Sequence, residues 1–381
     1  MYQNFNVKSD AKYSLERVQE LRSLMKQRKL DGVIVPKVDR YQGEYIPKEE
    51  ERLSWLSGFT GSAGTALILK KTAVLFVDGR YTLQATKEVN RDIFSIINST
   101  KISISDWMNE NCLKREIIAF DPWLTTVAQV NQLREKSRKQ YKLEAASNLI
   151  DQMWQRNFNM AKSTVFCLAN KYSGETFKSK LTRINKLLSE KKIRNYLFCK
   201  PDAICWLLNI RGDDIDHNPL VNCMALLKSD GAIIIFSENP KKFSKLLQNV
   251  TFKNVKFEEY STLGKWFARL EETIGLDPYY LPWKIHTLLK SKKANIIYFE
   301  DPANSLKCIK NNLEIRNAKS AHRIDATAFI KCMYWFSQLS KEIEIDEISL
   351  IKKLEFYRKE TGCLKGISFD TICGSGPNGA V

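Results

Sequence analysis

With 381 residues, 44% hydrophobic and 27% charged, the chain is long enough for two or three domains that each bury a core. No apolar run approaches a bilayer-spanning length, and the first residues carry no charged segment followed by an apolar one, so the chain reads as cytoplasmic, with no membrane partner. The net charge of +17 comes from lysines spread along the chain, as in Lys70-Lys71, Lys191-Lys192 and Lys292-Lys293; no basic block alternates with aromatics, and no nucleic-acid partner is expected.

In chain order, Leu15, Val18 and Leu21 share one face of an amphipathic helix, and the apolar run 32–35 follows as a buried strand. Trp55-Leu56 then enters a glycine-rich loop over 58–64. Two apolar strands, 66–69 and 73–77, are joined by a turn and closed by Asp78-Gly79-Arg80-Tyr81. Ile118-Ala119-Phe120-Asp121-Pro122 is a strand broken by proline. The same series then returns: Leu181, Ile184 and Leu187; the run 196–199; Trp206-Leu207; strands 224–227 and 232–236; and Ile274-Gly275-Leu276-Asp277-Pro278. Five matches in one order predict two related α/β domains, residues 1–162 and 163–301.

After Pro302 the pattern changes. Ala321, Ala328, Cys332, Trp335 and Leu339 mark one face of a long helix, and a second helix runs over 346–360 with Gly362 as its cap. A strand over 367–373 is expected to lead into the glycine-rich loop that starts at Gly374, inside which the chain stops. Two helices and one strand are too little for a core of their own, so residues 302–381 read as the first part of a third domain.

Several motifs are weighed on their residues. The nine cysteines are scattered without a Cys-x-x-Cys pair, and there are three histidines, so free thiols are expected in place of disulfides or structural zinc. Gly374 to Gly379 matches G-x-G-x-x-G but has no helix after it; Pro377 and Asn378-Gly379 read as a turn between strands. The 58–64 loop lacks the Lys-Ser/Thr of a phosphate-binding loop and reads as a close backbone approach. Asp213, Asp214, Asp216 and His217 read as a turn ahead of a cation site, for want of a distal glutamate. His322 and Asp325 read as an ordinary helical pair. Arg80 has two readings, a local pair with Asp78, which is favoured, or a reach across an interface to a carboxylate.

Together, the segments Ser57-Gly58-Phe59-Thr60-Gly61-Ser62-Ala63-Gly64, Asp78-Gly79-Arg80-Tyr81, Trp206-Leu207-Leu208-Asn209-Ile210-Arg211-Gly212 with Asn218-Pro219, Ala321-His322-Arg323-Ile324-Asp325, and Phe369-Asp370-Thr371-Ile372 with Gly376-Pro377-Asn378-Gly379-Ala380 resemble the cytosolic three-domain X-prolyl aminopeptidases (aminopeptidase P) of the creatinase and prolidase superfamily. That resemblance implies two creatinase-type N-terminal α/β domains followed by a pita-bread α+β domain. It also implies two divalent metal ions, commonly manganese, held by two Asp, one His and two Glu, proline-containing peptides as substrates, and a homodimer. Arg80 falls on the family's peptide-binding arginine. The resemblance places the substrate histidine and the metal ligands beyond residue 381, so no catalytic or metal residue is assigned here, and the chain alone is expected to be inactive. The alternatives are a non-catalytic binding or scaffold protein on the same fold, and one half of an enzyme completed by a second chain.

Overall fold

The structure is a computed structural model that describes residues 2–6, 9–137, 141–156, 164–248, 252–340 and 344–379. The expected boundary between the first two domains, at 162 and 163, and Ala380 and Val381 of the terminal loop lie outside these residues.

Helix α1 (Ser14–Gln27) buries Val18, Leu21 and Met25 and leads into β1 (Gly32–Pro36). Next come α2 (Arg52–Ser57), β2 (Thr65–Leu69), β3 (Ala73–Val77), α3 (Thr82–Glu88), β4 (Phe94–Asn98) and α4 (Ile104–Asn111). Strand β5 (Ile117–Phe120), α5 (Val127–Lys136), β6 (Lys142–Ala145) and α6 (Ile150–Met153) complete the first α/β domain. Its sheet has the order β4-β3-β2-β1-β5-β6, with β2 antiparallel to both neighbours and the other pairs parallel. All five residues of β3 are buried, as a strand covered on both faces requires.

A short strand β7 (Val165–Cys167) and α7 (Asn170–Ser173) precede the second copy. There α8 (Phe177–Glu190), β8 (Asn195–Phe198), α9 (Pro201–Leu208), β9 (Ile210–Gly212), β10 (Met224–Leu227) and β11 (Ile233–Phe236) follow in turn. Strand β12 (Val255–Glu258), α10 (Leu263–Phe267), β13 (Ile274–Leu276), α11 (Trp283–Ser291), β14 (Ile296–Tyr298) and α12 (Pro302–Cys308) close it. The sheet order, β12-β11-β10-β8-β13-β14, repeats the first sheet position for position. The repeat read from the sequence is therefore a repeat of topology.

The two α/β domains meet through a reciprocal set of backbone hydrogen bonds. Val127 N–H donates to Leu281 O and Trp283 N–H to Thr125 O (3.0 and 2.9 Å), while Ala128 N–H donates to Pro278 O and Lys284 N–H to Pro122 O (3.0 and 2.8 Å). Each bond has its counterpart with the copies exchanged, the pattern of a two-fold interface between like subunits. Behind it, one apolar cluster runs from Ile34 and Phe120 to Leu276 and Trp283. At its edge Tyr41 and Tyr260 share a hydroxyl hydrogen bond of 2.7 Å, and the Arg40 guanidinium sits over the Trp123 and Tyr260 rings.

By its contacts the chain divides into two compact units. One, Ser9–Cys167 with Phe177–Cys308, holds both sheets. The other comprises Met1–Lys8, Leu168–Thr176 and Ile309–Val381. In it α13 (Asn312–Ser337) starts from a capping box, in which Asn311 accepts from the N–H groups of Leu313 and Glu314 while Glu314 accepts from that of Asn311. Of the residues read as its buried face, Ala328 and Cys332 are buried, Trp335 is half-buried and Ala321 is exposed. Helix α14 (Glu347–Glu360) buries Ile351 and Leu354, and Gly362 takes the left-handed conformation its cap position predicts, with φ +66°.

Two expectations for the end of the chain need correction. Residues 367–373 form no strand, because among the described residues no edge pairs with them; instead Thr371 N–H donates to Gln3 Oε1 and Gln3 Nε2 to Thr371 O, at 2.9 and 3.2 Å. Gly376–Gly379 is a 3-10 turn, not a hairpin turn between strands. Glu347 Oε1 holds it by accepting from Ser375 N–H and Asn378 Nδ2, at 2.9 and 3.0 Å.

Candidate functional site

Strand β3 ends at Val77, and the chain turns at once through a 3-10 turn, Gly79–Tyr81, that carries Arg80. Asp78 caps this turn by accepting from Arg80 N–H at 3.0 Å. The same carboxylate takes a side-on fork from the guanidinium, Nε to Oδ1 at 3.1 Å and Nη2 to Oδ2 at 2.8 Å. The favoured local pair is therefore present. Hydrogen bonding to Arg80 holds the Asp78 carboxyl below its usual range, and the pair pushes Arg80 upward, so both stay charged at neutral pH. Arg80 remains exposed, and among the described residues its Nη1 donates no hydrogen bond.

The turn is fixed from beneath by the glycine-rich loop. Tyr81 packs edge-on against Phe59, with ring centres 5.8 Å apart, and its hydroxyl meets Ser62 Oγ at 2.7 Å. Phe59 is fully buried, and a Cβ on Gly61 would stand 2.2 Å from its ring. Gly58, at φ +82°, lets the Ala11 backbone approach where a Cβ would sit 2.7 Å from it. The 58–64 loop is thus the close approach read from the sequence. What the sequence did not disclose is the brace between this loop and α3: Thr60 N–H and Oγ1 donate to Glu88 at 2.8 and 2.7 Å, and Gln84 Nε2 donates to Thr60 Oγ1 at 3.0 Å. Its one visible trace was Gln84 and Glu88, four apart on a helix.

The other candidates do not assemble into a centre. Asp213 accepts from Thr164 N–H and Oγ1 at 2.6 and 2.9 Å. Asp214 is ion-paired with the buried Lys242 and accepts from Asn222 N–H at 2.6 Å. His217 lies against the Tyr45 ring, at φ +65°. This is the turn expected, with two of its three carboxylates engaged in holding it. His322 does not pair with Asp325, contrary to expectation. Arg358 on α14 takes Asp325 in a fork at 2.6 and 3.1 Å, because two charge-assisted bonds outweigh one helical neighbour.

Among the described residues no group of three or more His, Cys, Asp or Glu side chains is placed to hold a metal ion. These residues do not fit a two-metal centre built from five carboxylate and imidazole ligands. Nor, among them, is any helix long and apolar enough to cross a membrane.

The creatinase/prolidase N-terminal domain family matches residues 17–153 and, in a second form, residues 156–314. A probable Xaa-Pro aminopeptidase P of Aspergillus niger is 31% identical over 96% of this chain and 62% of its own length. Its counterpart in Laccaria bicolor is 30% identical over 96% of this chain and 58% of its own. The chain therefore spans about three fifths of the length of these relatives. Among solved structures, an X-prolyl aminopeptidase from Caenorhabditis elegans, described as a cytosolic enzyme with a di-nuclear active site, superposes with a TM-score of 0.87 at 24% identity. That match covers 94% of this chain and 62% of the other, and shows a shared fold. By its paired creatinase-type domains and by this likeness along nearly its whole length, the chain belongs to the aminopeptidase P family of the creatinase and prolidase superfamily.

Proposed function

We propose that this chain supplies the two N-terminal domains and the start of the pita-bread domain of a metal-dependent X-Pro aminopeptidase, which removes the residue preceding proline at a peptide's N-terminus. The observation that carries the reading is the 31% identity over 96% of the chain to an Xaa-Pro aminopeptidase P. Arg80 is the residue assigned to the peptide. Asp78 fixes the plane of its guanidinium, and Nη1 presents its hydrogens to a backbone carbonyl oxygen or carboxylate of the substrate. The family's two divalent ions, manganese in this reading, are not assigned to residues 1–381, and the chain alone is inactive. A homodimer in the cytoplasm, acting on proline-containing peptides, completes the proposal.

A second reading, in which a separate chain completes the enzyme or the fold serves as a non-catalytic scaffold, draws support from α13. Phe329, Ile330 and Tyr334 on that helix are exposed, an apolar side that covering polypeptide would bury. One experiment addresses both. The chain is mixed with the separately expressed C-terminal part of a relative, and release of the N-terminal residue from an X-Pro peptide is followed. Activity is expected from the mixture, and Arg80→Ala is expected to lower kcat/KM about tenfold or more. An unchanged kcat/KM would remove Arg80 from the peptide contact.

A further inference from the structure

The two α/β domains differ at one matched and buried corner. At the end of β5, Asp121 accepts from Trp123 N–H at 2.7 Å and from Asn148 Nδ2 at 2.8 Å. Asn148 Oδ1 accepts from Ile150 N–H at 3.0 Å, and Ala146 N–H donates to Phe120 O at 3.0 Å. At the end of β13, Asp277 accepts from Tyr279 N–H at 3.0 Å. Asp301 Oδ1 accepts from Ala303 N–H at 2.8 Å, and Phe299 N–H donates to Leu276 O at 3.0 Å. Asp301 therefore occupies the place of Asn148, with a carboxyl group where the first domain has an amide donor. Its backbone N–H also donates to Asp277 Oδ2 at 3.1 Å, which ties the two residues together.

Both carboxyl groups are shut away from water, with Asp277 5% and Asp301 3% exposed. They face Tyr196 of β8, whose hydroxyl donates to Phe299 O, and the buried Cys199 just after that strand. Glu300 adds a third acid next to Asp301. Lys200, just before α9, supplies a cation; its Nζ lies 3.2 Å from Asn304 Oδ1 and 3.9 Å from Asp202, which is itself paired with Lys307 of α12. Two ionised carboxylates in one buried corner repel each other and lose their hydration, and a proton on Asp301 relieves both costs.

We infer that Asp301 is held as a carboxylic acid in the folded chain and donates its hydrogen bond to Asp277, as Asn148 does to Asp121, so that the corner between β13 and α12 is a pH-sensitive latch. Burial raises the Asp301 pKa to about 7; Ala303 N–H and Lys200 oppose the rise, while Asp277 and Glu300 add to it. The folded value lies above the unfolded one of about 3.9, so the stabilisation is complete below the unfolded value and is lost as pH rises through the folded one. With a net charge of +17, raising the pH relieves repulsion across the chain and acts in the opposite direction. A loss of stability toward alkaline pH therefore reports the latch.

The test is thermal unfolding of the full chain between about pH 5.5 and about pH 8.5, with Asp301→Asn and Asn148→Asp beside the unsubstituted protein. The midpoint of the unsubstituted protein is expected to fall by several degrees across neutrality. Asp301→Asn should abolish that fall and melt above the unsubstituted protein at the alkaline end, and Asn148→Asp should deepen the fall. An Asp301→Asn variant that keeps the fall, or melts lower by the same amount at every pH, would overturn the inference. Carbon-13 resonances of carboxyl-labelled aspartate in the unsubstituted chain give an independent reading. One carboxyl titrating near neutrality supports the latch, and titration of every aspartate in the acid range contradicts it.

Discussion

At the end of α2 in the first α/β domain and of α9 in the second, the same structural task is met with different residues. Each helix must stop at a left-handed residue, Gly58 at φ +82° in one and Asn209 at φ +52° in the other. In each, a cation from the domain's first helix caps a tryptophan carbonyl and lies over that tryptophan's ring. Arg17 does so for Trp55, 4.5 Å from the ring centre, and also pairs with Asp10 at 2.8 Å. Lys180 does so for Trp206 at 4.6 Å, and it is 2% exposed, donating to Trp206 O at 2.8 Å and Asn209 Oδ1 at 2.6 Å. The loops after the matched strands β3 and β11 diverge further. The first carries Asp78 and Arg80 outward, whereas the second carries Glu238, which pairs with Arg40 of the first domain at 2.5 Å. The repeat preserves backbone geometry, while one copy leaves its loop exposed and the other uses it to hold its twin.

Substitutions at matched positions put that contrast to work. Lys180→Ala should cost about 3 kcal/mol in urea unfolding, because it leaves buried acceptors unsatisfied and a cavity behind. Arg17→Ala, at the more open copy, should cost about 1 kcal/mol; equal losses would mean that burial does not separate the two caps. Next, Gly58→Ala should cost about 2 kcal/mol through its left-handed backbone and the crowding against Ala11. Asn209→Gly keeps its backbone conformation and loses the Lys180 contact, for about 1 kcal/mol. Tyr260→Phe should also cost about 1 kcal/mol by removing the hydroxyl partner of the buried Tyr41. Arg80→Ala should move stability by no more than about 0.5 kcal/mol, since the residue is exposed and paired only locally.

Much of this was legible in the residues because it was local or repeated. Apolar runs such as Ala73–Val77 and Met224–Leu227 recur in one order, and that order became one sheet topology built twice. The Asp78–Arg80 pair was legible because its partners stand two residues apart. The losses came where a distant partner decides. The run 367–373 has strand composition, yet Gln3, more than three hundred residues away, takes its backbone groups. Asp325 was assigned to a helical neighbour and is held by Arg358, thirty-three residues on. The reciprocal backbone hydrogen bonds at Pro122 and Pro278 and the brace from Thr60 to Glu88 likewise depend on tertiary placement that no spacing rule encodes.

The proposal that residues 1–381 supply the framework and, through Arg80, a peptide contact of an X-Pro aminopeptidase, with its metals held elsewhere, can be tested on the chain itself. The most direct measurement is release of the N-terminal residue from an X-Pro peptide by the purified 381-residue chain, with and without added manganese. No release above the metal-only control is expected in either condition. Manganese-dependent turnover by this chain alone would place a working metal centre within residues 1–381 and overturn the proposal.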